Sequence, residues 1–137
     1  MTPETMARIY AAAFPDSRAW NADEIGDLLS SNLVFATHNS VGFALGRVVA
    51  GEAELLTIAV QPDQQGLGNG QKLLTAFETE ARRRAADCCF LEVAEDNTIA
   101  QRLYLRAGYE VCGTRPGYYT RADGQQIAAS LLRKTLN

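Results

Sequence analysis

Three features of this chain have residue types and spacing suited to chemistry: the loop Gln65-Gly66-Leu67-Gly68-Asn69-Gly70-Gln71, the carboxylate of Glu92, and the phenol of Tyr104. The loop follows an apolar run, Ala53 to Val60, and precedes Leu73, Leu74, Phe77 and Ala81 at helical spacing, so its glycines fall where a strand gives way to a helix. Backbone N–H groups at a helix start lack intrahelical acceptors and lie at the positive end of the helix dipole, which suits an anion such as a pyrophosphate. Glycine lets that anion approach the main chain closely. Neither G-x-G-x-x-G nor G-x-x-x-x-G-K-[ST] can be read across residues 66 to 72, which disfavours a dinucleotide or nucleotide-triphosphate loop. The competing reading of the glycines is a plain tight turn.

Glu92 sits among Phe90, Leu91 and Val93, and strand alternation turns it to the side that Phe90 shares. A carboxylate so placed loses part of its hydration, and desolvation makes it a stronger base. A strand residue facing solvent is the alternative. Glu95 is the nearest rival, but its place in the following loop favours solvation. Tyr104, between Leu103 and Leu105, reads from its neighbours as a core residue. Asn97 is placed to cap the helix that carries Tyr104.

The elements that must position these groups are legible in outline. Residues 3 to 13 read as a helix with Met6, Ile9, Tyr10 and Ala13 on one side, 16 to 22 as a loop, and 23 to 29 as a short helix. Residues 33 to 37 and 41 to 49 suggest antiparallel strands joined by His38-Asn39-Ser40. A strand over 53 to 60, a helix over about 69 to 85 and a strand over 88 to 93 form a strand-helix-strand unit, which implies one parallel pair with a right-handed crossover. A helix over about 98 to 106 ends at Gly108, and 109 to 113 and 127 to 134 supply the last strands. The expectation is one domain over residues 1–137, of mixed α/β class.

At 137 residues the chain suits a single core that buries roughly 70% of the unfolded surface. No apolar run is long enough for a membrane span, and no secretory leader precedes the first helix, so a cytoplasmic setting is expected. The net charge of −3 argues against broad nucleic-acid binding, and Arg82-Arg83-Arg84 reads as a solvated run favoured by the helix dipole. Residues 1 to 60 carry three basic and seven acidic groups, against ten and nine in the remainder, so the half with the glycine loop is the less acidic. Cys88, Cys89 and Cys112 cannot all pair and are expected as buried, reduced thiols. With His38 the single histidine, a metal site has too few ligands and none is expected.

Gln65, Gly68 and Gly70, preceded by Val60-x-Pro62, form Q-x-x-G-x-G, and this loop resembles the acyl-CoA loop of the GNAT superfamily of N-acetyltransferases. Leu91-Glu92-Val93 with Asn97, then Leu103-Tyr104 with Gly108-Tyr109, is similar to a second signature of the same superfamily, and Tyr118-Tyr119-Thr120-Arg121-Ala122-Asp123-Gly124 to a third. Together they resemble the branch of ribosomal-protein-alanine N-acetyltransferases, the RimI type, most clearly over residues 52 to 124 and more weakly through Phe14-Pro15 and Trp20. Asn69, Lys72, Ala94 and Ile127 depart from the pattern, four extra residues stand at 16 to 19, and the superfamily's usual first strand is missing.

The resemblance implies a GNAT-like fold: a mostly antiparallel central sheet, a parallel strand pair at the acetyl-CoA site, and helices on both faces. It implies acetyl-CoA as co-substrate, held by the main chain of Ile58, Ala59 and Val60, the loop from Gln65 to Gln71, Asn97 and Tyr104. It makes Glu92 the base and Tyr104 the acid that protonates the departing thiolate. The acceptor would be a peptide or protein N-terminus, of a ribosomal protein beginning with alanine, entering between Phe14 and Trp20 on one side and a turn carrying Gly117, Tyr118 and Tyr119 on the other. An α-amino group, with a reference pKa of about 7.7 to 8.0, needs only a modest base. With no Ser-His-Asp set and no exposed thiol expected, direct attack in a ternary complex is favoured over an acyl-enzyme. The same donor site would serve a transferase for a small amine or a lysine side chain, and the loop alone would serve a non-catalytic acyl-CoA sensor. A monomer is expected.

Overall fold

The computed structural model describes residues 1–16 and 19–136, so Ser17 and Arg18 of the four-residue insertion lie outside the described residues. Thr2 starts the first helix, α1 (Pro3–Ala13), by accepting the Thr5 N–H at 3.2 Å. A reciprocal capping box between Asn21 and Glu24 starts α2 (Ala22–Leu29). Strands β1 (Val34–His38), β2 (Gly42–Val49) and β3 (Glu52–Val60) follow, then α3 (Asn69–Arg83), β4 (Cys88–Ala94), α4 (Thr98–Arg106), β5 (Glu110–Thr120) and β6 (Gln126–Thr135). No strand precedes α1 among the described residues. The sheet runs β1-β2-β3-β4-β6-β5, antiparallel throughout except for the β3–β4 pair.

Each face of the sheet takes its own helices. On one, Leu73, Leu74, Phe77 and Ala81 of α3 pack against Phe35, Ala44, Leu55 and Leu91; on the other, Met6, Ile9 and Ile25 of α1 and α2 cover Phe43, Leu45 and Ala59. The first contact depends on Gly46, where an added Cβ would lie 2.5 Å from the Phe77 ring and 2.7 Å from the Phe35 ring.

The β3–β4 pairing is short. It covers Glu52↔Cys88 to Leu55↔Leu91 and then stops, although β3 continues to Val60 and β4 to Ala94. The cause lies on the other side of β3, where Leu45 pairs with Thr57 but Gly46 pairs with Leu55, leaving Leu56 as an extra residue. A bulge bends its strand, and this one turns β3 away from β4, which stays paired with β6 through Ala94↔Ala129. A cleft opens between them.

α4 ends in a Schellman arrangement: the Tyr109 N–H donates to the Tyr104 carbonyl at 3.0 Å, the Gly108 N–H donates to Leu105, and Gly108 has φ 99°. Tyr109 then donates its hydroxyl to Glu78 at 2.9 Å, and Lys134 of β6 pairs with the same buried carboxylate at 3.0 Å. Burial is the first cause raising the Tyr109 phenol above its usual value, and it pushes the adjoining Cys89 thiol up to about 11. This cluster ties α3, the end of α4 and β6 together.

Three expectations need correction. β5 continues through Tyr118 and Tyr119 to Thr120, so the segment expected as a turn is strand, interrupted by a bulge between Arg115↔Ala129 and Tyr119↔Ile127 in which Gly117 has φ 59°. An edge strand can carry Pro116 because an N–H is dispensable there. Of the three cysteines only Cys89 is buried; Cys88 is half-buried and Cys112 is exposed on β5, the edge strand with a single neighbour. The arginine run is also more than a solvated face: Arg82 donates to the Leu136 carbonyl, Arg83 and Arg84 hold Glu80, and Arg84 lies 4.7 Å over the Phe35 ring.

Two residues other than glycine adopt left-handed backbone, Ala50 (φ 51°) in the two-residue β2–β3 turn and Ala85 (φ 68°) just after α3. Ala85→Gly is expected to raise stability by about 0.5–1 kcal/mol, read as a higher urea midpoint with unchanged slope, and Ala50→Asn to act in the same direction. A second expectation concerns alkali. Because the folded pKa values of Cys89 and Tyr109 are raised, their contribution is complete below the unfolded values of 9.0 and 10.0 and is lost as pH rises through the folded ones. Unfolding free energy, measured by urea titration, should be flat near pH 8 and fall above about pH 9, with a shallower fall in Tyr109→Phe.

Candidate active site

The cleft opened by the bulge measures about 360 Å³ and is lined by both separated strands, the start of α4, α1 and the far end of β5. It brings together seven of the residues singled out in the sequence: Ile58 of β3, Glu92 of β4, Asn97 and Tyr104 of α4, Phe14, and Tyr118 and Tyr119 of β5. Ala59 and Val60 have their side chains in the core, and the loop from Gln65 to Gln71 lies outside the cleft lining. Trp20 is not on its wall. It stacks behind Tyr10 at 5.2 Å and faces a neighbouring hollow with Leu33 and Arg47.

The glycine loop leads from the tip of β3, whose Ile58 lines the cleft, into α3. Gly66 (φ 77°) and Gly68 (φ 86°) supply left-handed backbone that residues with a Cβ adopt only with strain, and nothing lies within 4 Å of the position a Cβ would take at either. Gly68 is the helix cap and offers no side-chain acceptor, so the first N–H groups of α3 stay open to an anion, with no acidic residue in that turn. The amides around them brace the loop: Gln65 donates to the Val60 carbonyl at 3.1 Å and Asn69 to Gln64 at 3.0 Å. The Asn69 bond gives a physical reason for a polar residue at a usually apolar slot. Gly70 packs against Leu103 of α4, 3.3 Å from its would-be Cβ, so the cradle and the tyrosine-bearing helix are in register.

Glu92 lies at the middle of the cleft, beyond the last β3–β4 pair, with its side chain 26% exposed. It is thus partly desolvated, as strand alternation suggests, yet it is not alone. Arg115 places Nη2 2.9 Å from its Oε1, and Glu92's charge, ahead of burial, raises the Tyr118 phenol above its usual value. Glu95 is exposed in the following turn, where its N–H donates to Ala128 at 2.9 Å.

Tyr104 is both core and cleft. Its ring is 8% exposed and meets Tyr109 edge-on at 5.9 Å, while its hydroxyl has no hydrogen-bond partner among the described residues. Burial, with the neighbouring Tyr119 a lesser cause, raises its pKa well above 10, so the phenol holds its proton at neutral pH. Asn97 caps α4 by accepting the Ala100 N–H at 3.2 Å and also lines the cleft.

Aromatic rings wall the remaining end. Tyr10 and Phe14 lie 4.9 Å apart on the α1 side, and Tyr118 and Tyr119 lie 5.0 Å apart on the β5 side. Burial, then the charge of Glu92, pushes Tyr119 up to about 12. Arg121 lies over the Tyr119 ring and pairs with Asp96 in the turn before α4, and this contact lowers the Asp96 carboxyl below its usual range. Tyr10, Arg115 and the Asp96–Arg121 pair were not among the candidates from sequence. Tyr10 had a signal, its place on the apolar side of α1; the arginine contacts join distant segments and had none.

These features fit a CoA thioester: an uncapped helix start for the pyrophosphate, a strand freed from its neighbour for the pantetheine, and a buried phenol ahead of both. Comparison with known proteins agrees. The sequence pattern of the acetyltransferase (GNAT) family matches residues 4–109. The ribosomal protein bS18-alanine N-acetyltransferase of Escherichia coli strain K12 is 34% identical over 118 residues, 86% of this chain and 80% of that one. The enzyme of the same name from Haemophilus ducreyi is 36% identical over 94 residues, 69% of this chain, and the match spans 65% of that relative's length. The crystal structure of the ribosomal-protein-S18-alanine N-acetyltransferase from Escherichia coli superposes with a TM-score of 0.84 at 28% identity, over 96% of this chain and 85% of that one. A family pattern running from α1 through α4, and relatives above 30% identity across most of the sequence, show that this chain belongs to the acetyltransferase (GNAT) family.

Proposed function

We propose that this protein transfers an acetyl group from acetyl-CoA to the α-amino group of a protein N-terminus, and that the acceptor is a ribosomal protein beginning with alanine. The observation that carries the reading is the meeting of Glu92 and Tyr104 in one cleft, at the point where β3 and β4 part, between the glycine cradle and the aromatic walls. The acceptor identity rests on the names of the relatives and on the match of Tyr118 to Gly124 to their branch.

Acetyl-CoA supplies an activated acyl group and a thiolate leaving group. The loop from Gln65 to Gln71 holds its pyrophosphate through N–H groups, and main chain around Ile58 to Val60, freed by the bulge, offers hydrogen bonds to the pantetheine and the developing oxyanion. Glu92 takes the proton of the acceptor amine at a carboxylate oxygen, directly or through one water. Tyr104 keeps its hydroxyl protonated at neutral pH and offers that proton to the thiolate as it departs. Tyr10, Phe14, Tyr118 and Tyr119 shape a groove that admits an extended peptide end and excludes water from the reacting amine.

The direct assay incubates the protein with acetyl-CoA and a peptide beginning with alanine, alongside an N-terminally blocked peptide containing lysine, and records CoA release and peptide mass. Acetylation confined to the free N-terminus is expected. Modification of the blocked peptide instead would make the enzyme a lysine transferase, and CoA binding without transfer to either would leave a sensor or another acceptor. Glu92→Gln is expected to lower kcat by about 10²- to 10⁴-fold, with acetyl-CoA affinity nearly unchanged by calorimetry. Tyr104→Phe should also lower kcat and leave the fold intact, because the hydroxyl it removes bonds no described residue.

A further inference from the structure

The cation on Glu92 comes from two strands away. Arg115 of β5 and Ala94 of β4 both face Ala129 of β6, and Glu92 faces Leu131, so the guanidinium crosses the width of β6 above the small Ala129 side chain to reach the carboxylate. Its Cζ stands 4.9 Å from the Tyr118 ring, which the Pro116-Gly117 bulge lifts into this position. The Arg115 side chain is 53% exposed, and ion pairs at such sites contribute about 0–1 kcal/mol, so stability alone is a weak reason for the contact.

A second arginine, Arg121, lines the cleft wall and pairs with Asp96 in the turn before α4. The carboxylate in the cleft and the one beside it in this turn are thus each matched by an arginine, and the adjoining phenols of Tyr118 and Tyr119 are held neutral. A bare carboxylate would bind an ammonium group as a salt bridge and hold it protonated, which blocks attack. A carboxylate already covered by a guanidinium has lost most of that attraction.

We infer that Arg115 is a specificity-determining residue: by covering Glu92 with a fixed cation, it turns the site against lysine ammonium groups and toward the weakly basic amines of protein N-termini. The chemistry of the two acceptors makes the difference large. Reference pKa values of about 7.7 to 8.0 for an α-amine and about 10.4 for lysine leave the neutral form several hundred times more abundant in the first at neutral pH. A site with no pull on cations passes this difference on to the reaction rate; a site with a bare carboxylate binds the lysine cation and erodes it.

The inference rests on the N-terminal reading above, and one experiment separates the two. The full chain, Arg115→Gln and Arg115→Lys are assayed with acetyl-CoA on two peptides of equal length, one with a free N-terminal alanine and no lysine, one blocked at its N-terminus with a single lysine. Arg115→Gln is expected to narrow the ratio of kcat/KM for the free N-terminus over lysine by at least about tenfold, chiefly through a lower KM for the lysine peptide. Arg115→Lys, which keeps the charge, should restore most of the ratio and shows that the site still folds. A ratio unchanged within about twofold in Arg115→Gln, with the wild type active on the free N-terminus, overturns the role of Arg115 alone. Wild-type activity confined to the lysine peptide overturns both readings.

Discussion

The site depends on where one parallel strand pair ends. Up to Leu55 and Leu91, β3 and β4 exchange hydrogen bonds like any neighbours; beyond them an extra residue in β3, Leu56, bends that strand while β4 stays with β6. Buried main-chain groups need partners, so strands that part must give their freed N–H and C=O groups to water or to a ligand. The proposed acetyl-CoA site is this unmet demand placed between a glycine loop at the tip of β3 and a carboxylate on β4. Without the bulge the two strands would zip together and Glu92 would face a continuous sheet.

What holds the opening in shape is the packing around it. Gly46 lets Phe77 and Phe35 stack at 5.8 Å beside the bulge, which locks α3 and its N-terminal cradle onto the bent part of the sheet. The Schellman end of α4 sets Tyr109 against Tyr104, and the Tyr109 hydroxyl reaches Glu78 on α3. A single chain of contacts therefore runs from the helix whose first N–H groups are uncapped to the ring of Tyr104. Tyr104 gains its orientation from being a core residue, and its high pKa comes from the same burial. The core reading of this tyrosine and the proposed catalytic one, which compete when only its neighbours in sequence are considered, are compatible, because one ring both packs on Tyr109 and lines the cleft.

Legibility followed the range of the interactions. Helix caps, the glycine loop and the order of elements up to β4 are set by residues within a few positions of one another, and the sequence readings of them agree with the structure to within one or two residues. The misread parts are products of distant contacts. Nothing in the apolar run Leu55-Leu56-Thr57-Ile58 marks one residue as supernumerary, because a bulge is defined by its partner strand. The resemblance implies a turn carrying Gly117, Tyr118 and Tyr119, whereas the edge strand accommodates Pro116-Gly117 as a bulge and continues. Cys112 is expected as a buried thiol, yet it lies exposed on β5, the outermost strand of the sheet. The pairing of Glu92 with Arg115 spans two strands and has no local signature at all.

That last contact bears on how this fold can change its acceptor without changing its chemistry. The donor side is over-determined: moving Gly68, Gly70 or Gly46 meets backbone conformation or packed rings, and moving Tyr104 opens the core. The acceptor side is built largely from β5, which has one neighbouring strand, high exposure and a bulge that already tolerates irregular register. Substitution at Arg115 or Tyr118 alters the charge and shape that an incoming amine meets, yet removes little buried area and so costs little stability. Selection for a new acceptor can therefore act on the edge strand while the bulged strand, the glycine loop and the buried tyrosine of the proposed donor side stay as they are.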